Sequence, residues 1–277
     1  MTKRSKEQDA ATKAIHNGFS LISDEKLLQL YTSMVKCRMI EERARWLLKQ
    51  NELADKDEIA MGREASEVGA TIDLLAEDTV VPLSRDVAVN YIKGVSLDKI
   101  FGQISARADE PVPASPLDLA TSAALANKTK KNGKIAVAFL GDGTASHGSF
   151  HEALTTARAH QLPILFICHE ILSTESGSRS LQAEIEKIAL EEQPCSFPHI
   201  AVDGNDVVAV YRVATEAIAH ARRGNGPTFI ECKGERSKAH DPILNMEMYL
   251  KRKGLFSKKT KLEIAAGFTE ILDAASR

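Results

Sequence analysis

The 277-residue chain has almost no charge imbalance, its formal net charge being -2. No global field therefore recruits nucleic acid or an anionic membrane, and neither is expected as a partner. It also has no apolar run near the roughly 20 residues that cross a bilayer. The first twenty residues mix Lys3, Arg4 and Lys6 with Glu7 and Asp9. They lack the apolar stretch of a secretory leader, and their acids argue against a transit peptide. The four cysteines, Cys37, Cys168, Cys195 and Cys232, are widely separated and form no CxxC pair. The spacing gives no support to a cysteine–histidine zinc site and points to reduced thiols in a cytoplasmic protein. There is no internal repeat or low-complexity tract.

What is present is an ordinary globular composition, 43% hydrophobic and 27% charged, that alternates between strand and helix patterns. The clearest unit runs from Lys134 to Ser173. An apolar run, Ile135 to Leu140, leads into Gly141-Asp142-Gly143. A polar turn, a helical segment from Ser149 to Gln161 and a second apolar run, Ile164 to Cys168, follow. Two continuous apolar strands joined by one helix imply a parallel sheet buried on both faces. The fold class is therefore α/β, a Rossmann-like parallel sheet flanked by helices.

Elsewhere the pattern predicts helices from Ser23 or Asp24 to about Gln50, from Gly62 to Leu75, and from Leu97 to Ile104. Further helices are expected over Leu117–Lys130, Leu181–Glu192, from a cap at Asp206 to Arg222, and over Lys258–Ala275. Strands are expected at Thr79–Leu83, Ile200–Val202 and Thr228–Cys232. Pro111, Pro113 and Pro116 make Arg107–Pro116 an extended loop. Residues 1–20 are expected to form a mobile N-terminal segment, and 21–277 one α/β domain with helical additions at both ends.

In parallel sheets, ligands sit beyond the carboxyl ends of the strands. Asp142 lies at such an end. Its carboxylate can reach a hard cation such as Mg²⁺, and its glycine neighbours let a phosphate approach the backbone. Gly-Asp-Gly alone is also simple turn chemistry. The remaining histidines of this region, His147, His151, His160 and His169, form no base-and-nucleophile pattern and read as packed or solvated. No catalytic residue is assigned. The basic groups Lys251-Arg252-Lys253 and Lys258-Lys259-Lys261 read as a solvated helix face rather than a docking patch.

Taken in order, several motifs resemble one family. They are Leu30-Tyr31-x-x-Met34 with Arg38 and Glu41-Glu42, then Gly62-x-Glu64-Ala65, then Gly141-Asp142-Gly143. Gly148-x-Phe150-His151-Glu152-Ala153-Leu154 and Leu162 to Cys168 follow, then Val202 to Val207 and Ala221 to Glu231. Together they are similar to the alpha subunit of thiamine-diphosphate-dependent 2-oxo acid dehydrogenases, the decarboxylating first component. The resemblance implies a thiamine-diphosphate-binding type of sheet, oxidative decarboxylation of a 2-oxo acid with a lipoyl disulfide as acceptor, and a beta-type partner or a homodimer. It implies thiamine diphosphate and Mg²⁺ as cofactors, with Asp142 as metal ligand and Arg85, Gly141, Asp142 and Gly143 lining the cofactor.

Departures from the family pattern cluster at cofactor positions. The metal-binding asparagine falls at Ile171, beside Glu170. The loop histidine after Ser84-Arg85-Asp86 is replaced by Val87. Other histidine positions fall near Glu58 or Ile59 and within Gly234-Glu235-Arg236-Ser237. A glycine-rich loop is shortened to Ser105–Pro116. The resemblance with these losses implies weak or absent Mg²⁺-dependent cofactor binding, in a subunit whose own catalysis is impaired or which serves as a scaffold, regulatory partner or metal-free binder.

Overall fold

The computed structural model describes residues 22–50, 62–83, 87–106, 116–141, 148–171, 198–235 and 238–276. The expectations at 1–20, 107–115 and 181–192 lie outside these residues.

Five parallel strands form one sheet in the order β1 (Thr79–Val81), β2 (Ala136–Gly141), β3 (Ile164–Ile171), β5 (Thr228–Gly234) and β4 (His199–Asp203). The register pairs Ala136 with Ile164, and Gly141 with His169. Beyond them His169 pairs with Cys232, and Ile171 with Gly234. β2 and β3 have neighbours on both sides, which explains why they read as unbroken apolar runs.

Alternation along the strands divides the core. Ala136, Ala138, Leu140, Ile164, Phe166 and Phe229 face two helices, α5 (Pro116–Lys130) and α6 (Gly148–Ala159). Val137, Phe139, Leu165, Ile167 and Ile230 face α2 (Glu64–Thr71) and α7 (Val207–Arg222) on the other side. A further layer lies outside α2. The 27-residue α1 (Asp24–Gln50) packs there with α8 (Pro242–Arg252). It also packs with α3 (Val87–Ile92), α4 (Leu97–Ala106) and α9 (Lys258–Ala275).

Local signals set the helix boundaries. Ser23 Oγ accepts from Lys26 N–H at the start of α1. Asp206 takes the N–H groups of Val208 and Ala209 at the start of α7. α2 is shorter than its sequence pattern, ending at Thr71 rather than Leu75. The Asp78 carboxylate accepts the Leu75 N–H at 2.8 Å, so the chain turns there instead of adding another helical turn. α8 was not foreseen, although Asp241 caps it and Pro242 opens it.

Gly69 of α2 lies against α7. A Cβ there would sit 2.9 Å from Val210 Cγ1 and 3.1 Å from the Tyr211 backbone nitrogen. Gly69→Ala should therefore cost roughly 1–3 kcal/mol by overpacking. Val210→Ala in the same chain should recover part of that loss, as read by urea denaturation. Additive losses in the double variant would show that the two positions do not collide.

The basic groups near the C-terminus are engaged within the fold. Lys261 Nζ donates to Glu247 at 2.8 Å, and Lys251 and Lys253 lie over the Phe256 and Tyr249 rings. Glu247 also accepts from Tyr31 Oη, tying α9 and α8 to α1. No described helix is long and apolar enough to cross a membrane.

Candidate functional site

The carboxyl edge of the sheet is built around Gly141 and His169, which are level with each other in the register. Gly141 closes β2, a strand flanked on both sides. Among the described residues, a Cβ on Gly141 would meet nothing within 4 Å. Among those residues packing does not require the glycine. Asp142, Gly143 and Arg85 lie outside the described residues, as do Glu58, Ile59, His147, Ser173 and Ser237. Ile171 is the last residue of β3, two positions beyond His169.

His169 follows Leu165 and Ile167 on the α2-facing side of β3, as a strand period of two requires. It is buried, and its ring stacks on Phe139 with centroids 5.4 Å apart and planes 9° apart. Its Nδ1 lies 2.9 Å from Ser66 Oγ. Ser66 Oγ donates its single proton to the Arg63 carbonyl, also at 2.9 Å. The hydroxyl must therefore accept from His169 Nδ1–H. This polarity is the reverse of a nucleophile activated by a base, so Ser66–His169 is an orienting contact rather than a hydrolytic pair. Of the histidines expected to be packed or solvated, His169 is packed, His160 is exposed just after α6 and His151 is half-buried on α6.

Behind this contact lies a buried ionic network. The Arg38 guanidinium of α1 bonds Glu64 through Nε and Asp241 through Nη1, the latter at 2.9 Å. Glu64 is fully buried, and its Oε1 also accepts the Gly62 N–H at 3.3 Å. Burial alone would lower the Arg38 pKa, but its two carboxylate partners outweigh that and hold it above its usual value. Burial also pushes Asp241 up, and Arg38 with the capped backbone N–H groups brings it below the usual carboxylate range. One arginine thus joins α1, the start of α2 and the start of α8.

The opposite rim is held by Asn205. Its side-chain amide donates to the carbonyls of Glu235, at 3.0 Å, and His240, at 2.5 Å. Gly204 lets this turn approach β5, since a Cβ would lie 3.1 Å from the Cys232 carbonyl carbon. The Asp203-Gly204-Asn205-Asp206 landmark therefore fixes the segment that follows β5.

Cys37 and Cys232 are not activated as nucleophiles. Cys37 is buried, and desolvation, then Glu67, Glu41 and Glu64, raise its pKa. Burial and Glu231 push Cys232 up to about 12. Such thiols stay protonated and inert. Among the described residues, no group of three His, Cys, Asp or Glu side chains is placed to hold a metal.

Comparison with known proteins decides the family. Residues 106–272 match the model for the dehydrogenase E1 component. The chain belongs to the dehydrogenase E1 component family. It is 29% identical to the 2-oxoisovalerate dehydrogenase subunit alpha of Bacillus subtilis, over 92% of each chain. It is 32% identical to the 3-methyl-2-oxobutanoate dehydrogenase subunit alpha of Mycobacterium tuberculosis, over 88% of this chain and 76% of that one. Among solved structures it is similar to a transketolase of Campylobacter jejuni at 14% identity and a TM-score of 0.49, over 90% of this chain and 47% of that one. In this E1-family chain, Arg38 and Glu64 belong to motifs already recognised in the sequence. Their mutual contact, and those of Ser66 and Asn205, join residues too far apart in sequence for spacing to reveal them.

Proposed function

We propose that this chain is an alpha-type subunit of a 2-oxo acid dehydrogenase first component and works with a beta-type chain. The observation that supports this most is the position of Gly141 at the carboxyl end of the central strand β2, immediately before Asp142, within the segment matching the E1 family. The relatives are themselves named as alpha subunits. On this reading Gly141, Asp142 and Gly143 receive the diphosphate of thiamine diphosphate, Arg85 pairs with its oxygens, and Asp142 is the metal ligand. The substrate is a 2-oxo acid.

The partner face is the outer side of α5, with α6 beside it. Leu119 and Leu125 of α5 are large apolar side chains that stand 51% and 44% exposed. Ala126, next to Leu125, is also exposed and small enough to let a helix approach closely. Co-expression with a beta-type chain should give a stable complex whose buried area exceeds roughly 1,000 Å². Leu119→Lys with Leu125→Lys should dissociate it in sedimentation. A monomer at micromolar concentration with the beta chain added would refute the assignment.

A second reading is favoured by one residue. The metal half of the cofactor does not fit the donor set. Mg²⁺ requires near-octahedral oxygen ligation, and Ile171 has no side-chain oxygen at the position where the family pattern has its metal-binding asparagine. On this reading the chain keeps the fold and partner surface but binds Mg²⁺ and thiamine diphosphate weakly. It would then act as a scaffold or regulatory subunit.

A further inference from the structure

A cavity of about 260 Å³ opens at the amino-terminal edge of the sheet, beside the turns that enter β2, β3 and β5. This is the edge opposite Gly141, and it plays no part in the function proposed above. Lys128, Lys131, Lys134, Arg222 and Arg223 all line it, and no carboxylate does. In a chain of net charge -2, this concentration of cations is local.

Part of that charge has a structural use. Three helices end at the cavity. The C-terminal turns of α5, α6 and α7 close with Asn132 N–H to the Asn127 carbonyl, Leu162 N–H to Ala157 and Asn225 N–H to His220. Each helix end carries about half a negative charge. Lys128 Nζ serves one of them, donating to the His160 and Gln161 carbonyls at 2.7 and 3.0 Å. Arg222 bonds the buried Asp78 carboxylate.

These uses do not exhaust the cations. Against the five positive side chains stand about one and a half charges from the three helix ends and one from Asp78, leaving an excess of about two and a half. The side chains of Lys131, Lys134 and Arg223 have no acid partner among the described residues. Asn127 also lines the cavity, and its Nδ2 is buried without an acceptor among the described residues. It is a neutral donor placed beside surplus positive charge. The volume is small against the roughly 300–1,000 Å³ of pockets for drug-sized ligands, so the occupant is compact. A small, doubly or triply charged anion with many acceptor oxygens meets these conditions, and guanidinium and ammonium groups recognise phosphate oxygens well.

We infer that this cavity is an anion site for a compact phosphate compound, a diphosphate or the phosphate end of a small phosphorylated metabolite, lodged between the ends of the three helices that cover the sheet. Calorimetric titration of the full chain with inorganic pyrophosphate, inorganic phosphate and ADP tests it, alongside amide shifts in ¹H–¹⁵N spectra. Pyrophosphate should bind saturably and more tightly than phosphate. Amide shifts should centre on residues 131–134, 161 and 222–225. Lys131→Glu with Arg223→Glu should weaken binding at least tenfold with an unchanged melting temperature, whereas Lys258→Glu with Lys259→Glu should leave it unaltered. ADP binding more tightly than pyrophosphate would identify a nucleotide as the source of the phosphate. Absence of saturation at millimolar pyrophosphate, or equal binding by the Lys131 and Arg223 variant, would overturn the inference. Binding through the Asp142 edge would appear in this assay as that second result, so the two sites are distinguishable.

Discussion

Arg38→Met should destabilise the chain by roughly 3–5 kcal/mol, the scale on which removing one partner of a buried ion pair leaves the other uncompensated. Glu64 has no exposed side-chain surface, and Arg38 is only 16% exposed, so solvent cannot replace the lost cation. Asp241 would lose its partner as well. The double variant Arg38→Met with Glu64→Gln should be markedly more stable than Arg38→Met alone, because it removes the stranded charge along with the pair. Acid dependence gives a second readout. The Asp241 pKa is depressed in the folded state. Its contribution is therefore present above the ordinary carboxylate value of about 4 and lost as pH falls through the lower folded value. That acid-sensitive component should shrink in Arg38→Met. Guanidinium denaturation across pH measures both effects, and a loss below about 1 kcal/mol would mean that the network does not join α1, α2 and α8.

Ile171→Asn should strengthen Mg²⁺-dependent binding of thiamine diphosphate by about a hundredfold. Restoring one neutral oxygen to an under-coordinated cation is comparable to pairing a buried polar group, roughly 3 kcal/mol, and each 1.4 kcal/mol is about tenfold. Ile171 ends β3, and its backbone is held in register with Gly234. The substitution changes the donor set without needing a new strand position. Binding of thiamine diphosphate in EDTA should not respond, since the gain depends on the metal. An equal gain with and without Mg²⁺ would assign the effect to packing instead.

The strands of the central unit and most helices could be read from the sequence because their signals are local. The runs Ile135–Leu140 and Ile164–Cys168 announced β2 and β3, and Asp206 announced the start of α7. α8 carries equally local signals, the Asp241-Pro242 helix start and the apolar stripe of Ile243, Met246 and Leu250. The end of α2 was not readable. It depends on Asp78 accepting the Leu75 N–H and simultaneously bonding Arg222, 144 residues away. The same holds at the site. Motif spacing pointed to the strand end at Gly141 and to Arg38 and Glu64 separately. That Ser66 orients His169 across 103 residues, and that Asn205 pins the segment after β5, follow only from how α2 and the β4–α7 turn pack on the sheet.

We propose that this E1-family chain binds its cofactor weakly, because Ile171 stands where the family pattern has a metal-binding asparagine. Calorimetric titration of thiamine diphosphate with saturating Mg²⁺ into the unmodified chain, run beside Ile171→Asn, tests it most directly. The expected result is heat too weak to define a binding constant in the micromolar range for the unmodified chain, with saturable binding in the variant. Micromolar or tighter binding by the unmodified chain would contradict weak binding and leave the first reading proposed above, a cofactor-loaded alpha-type subunit.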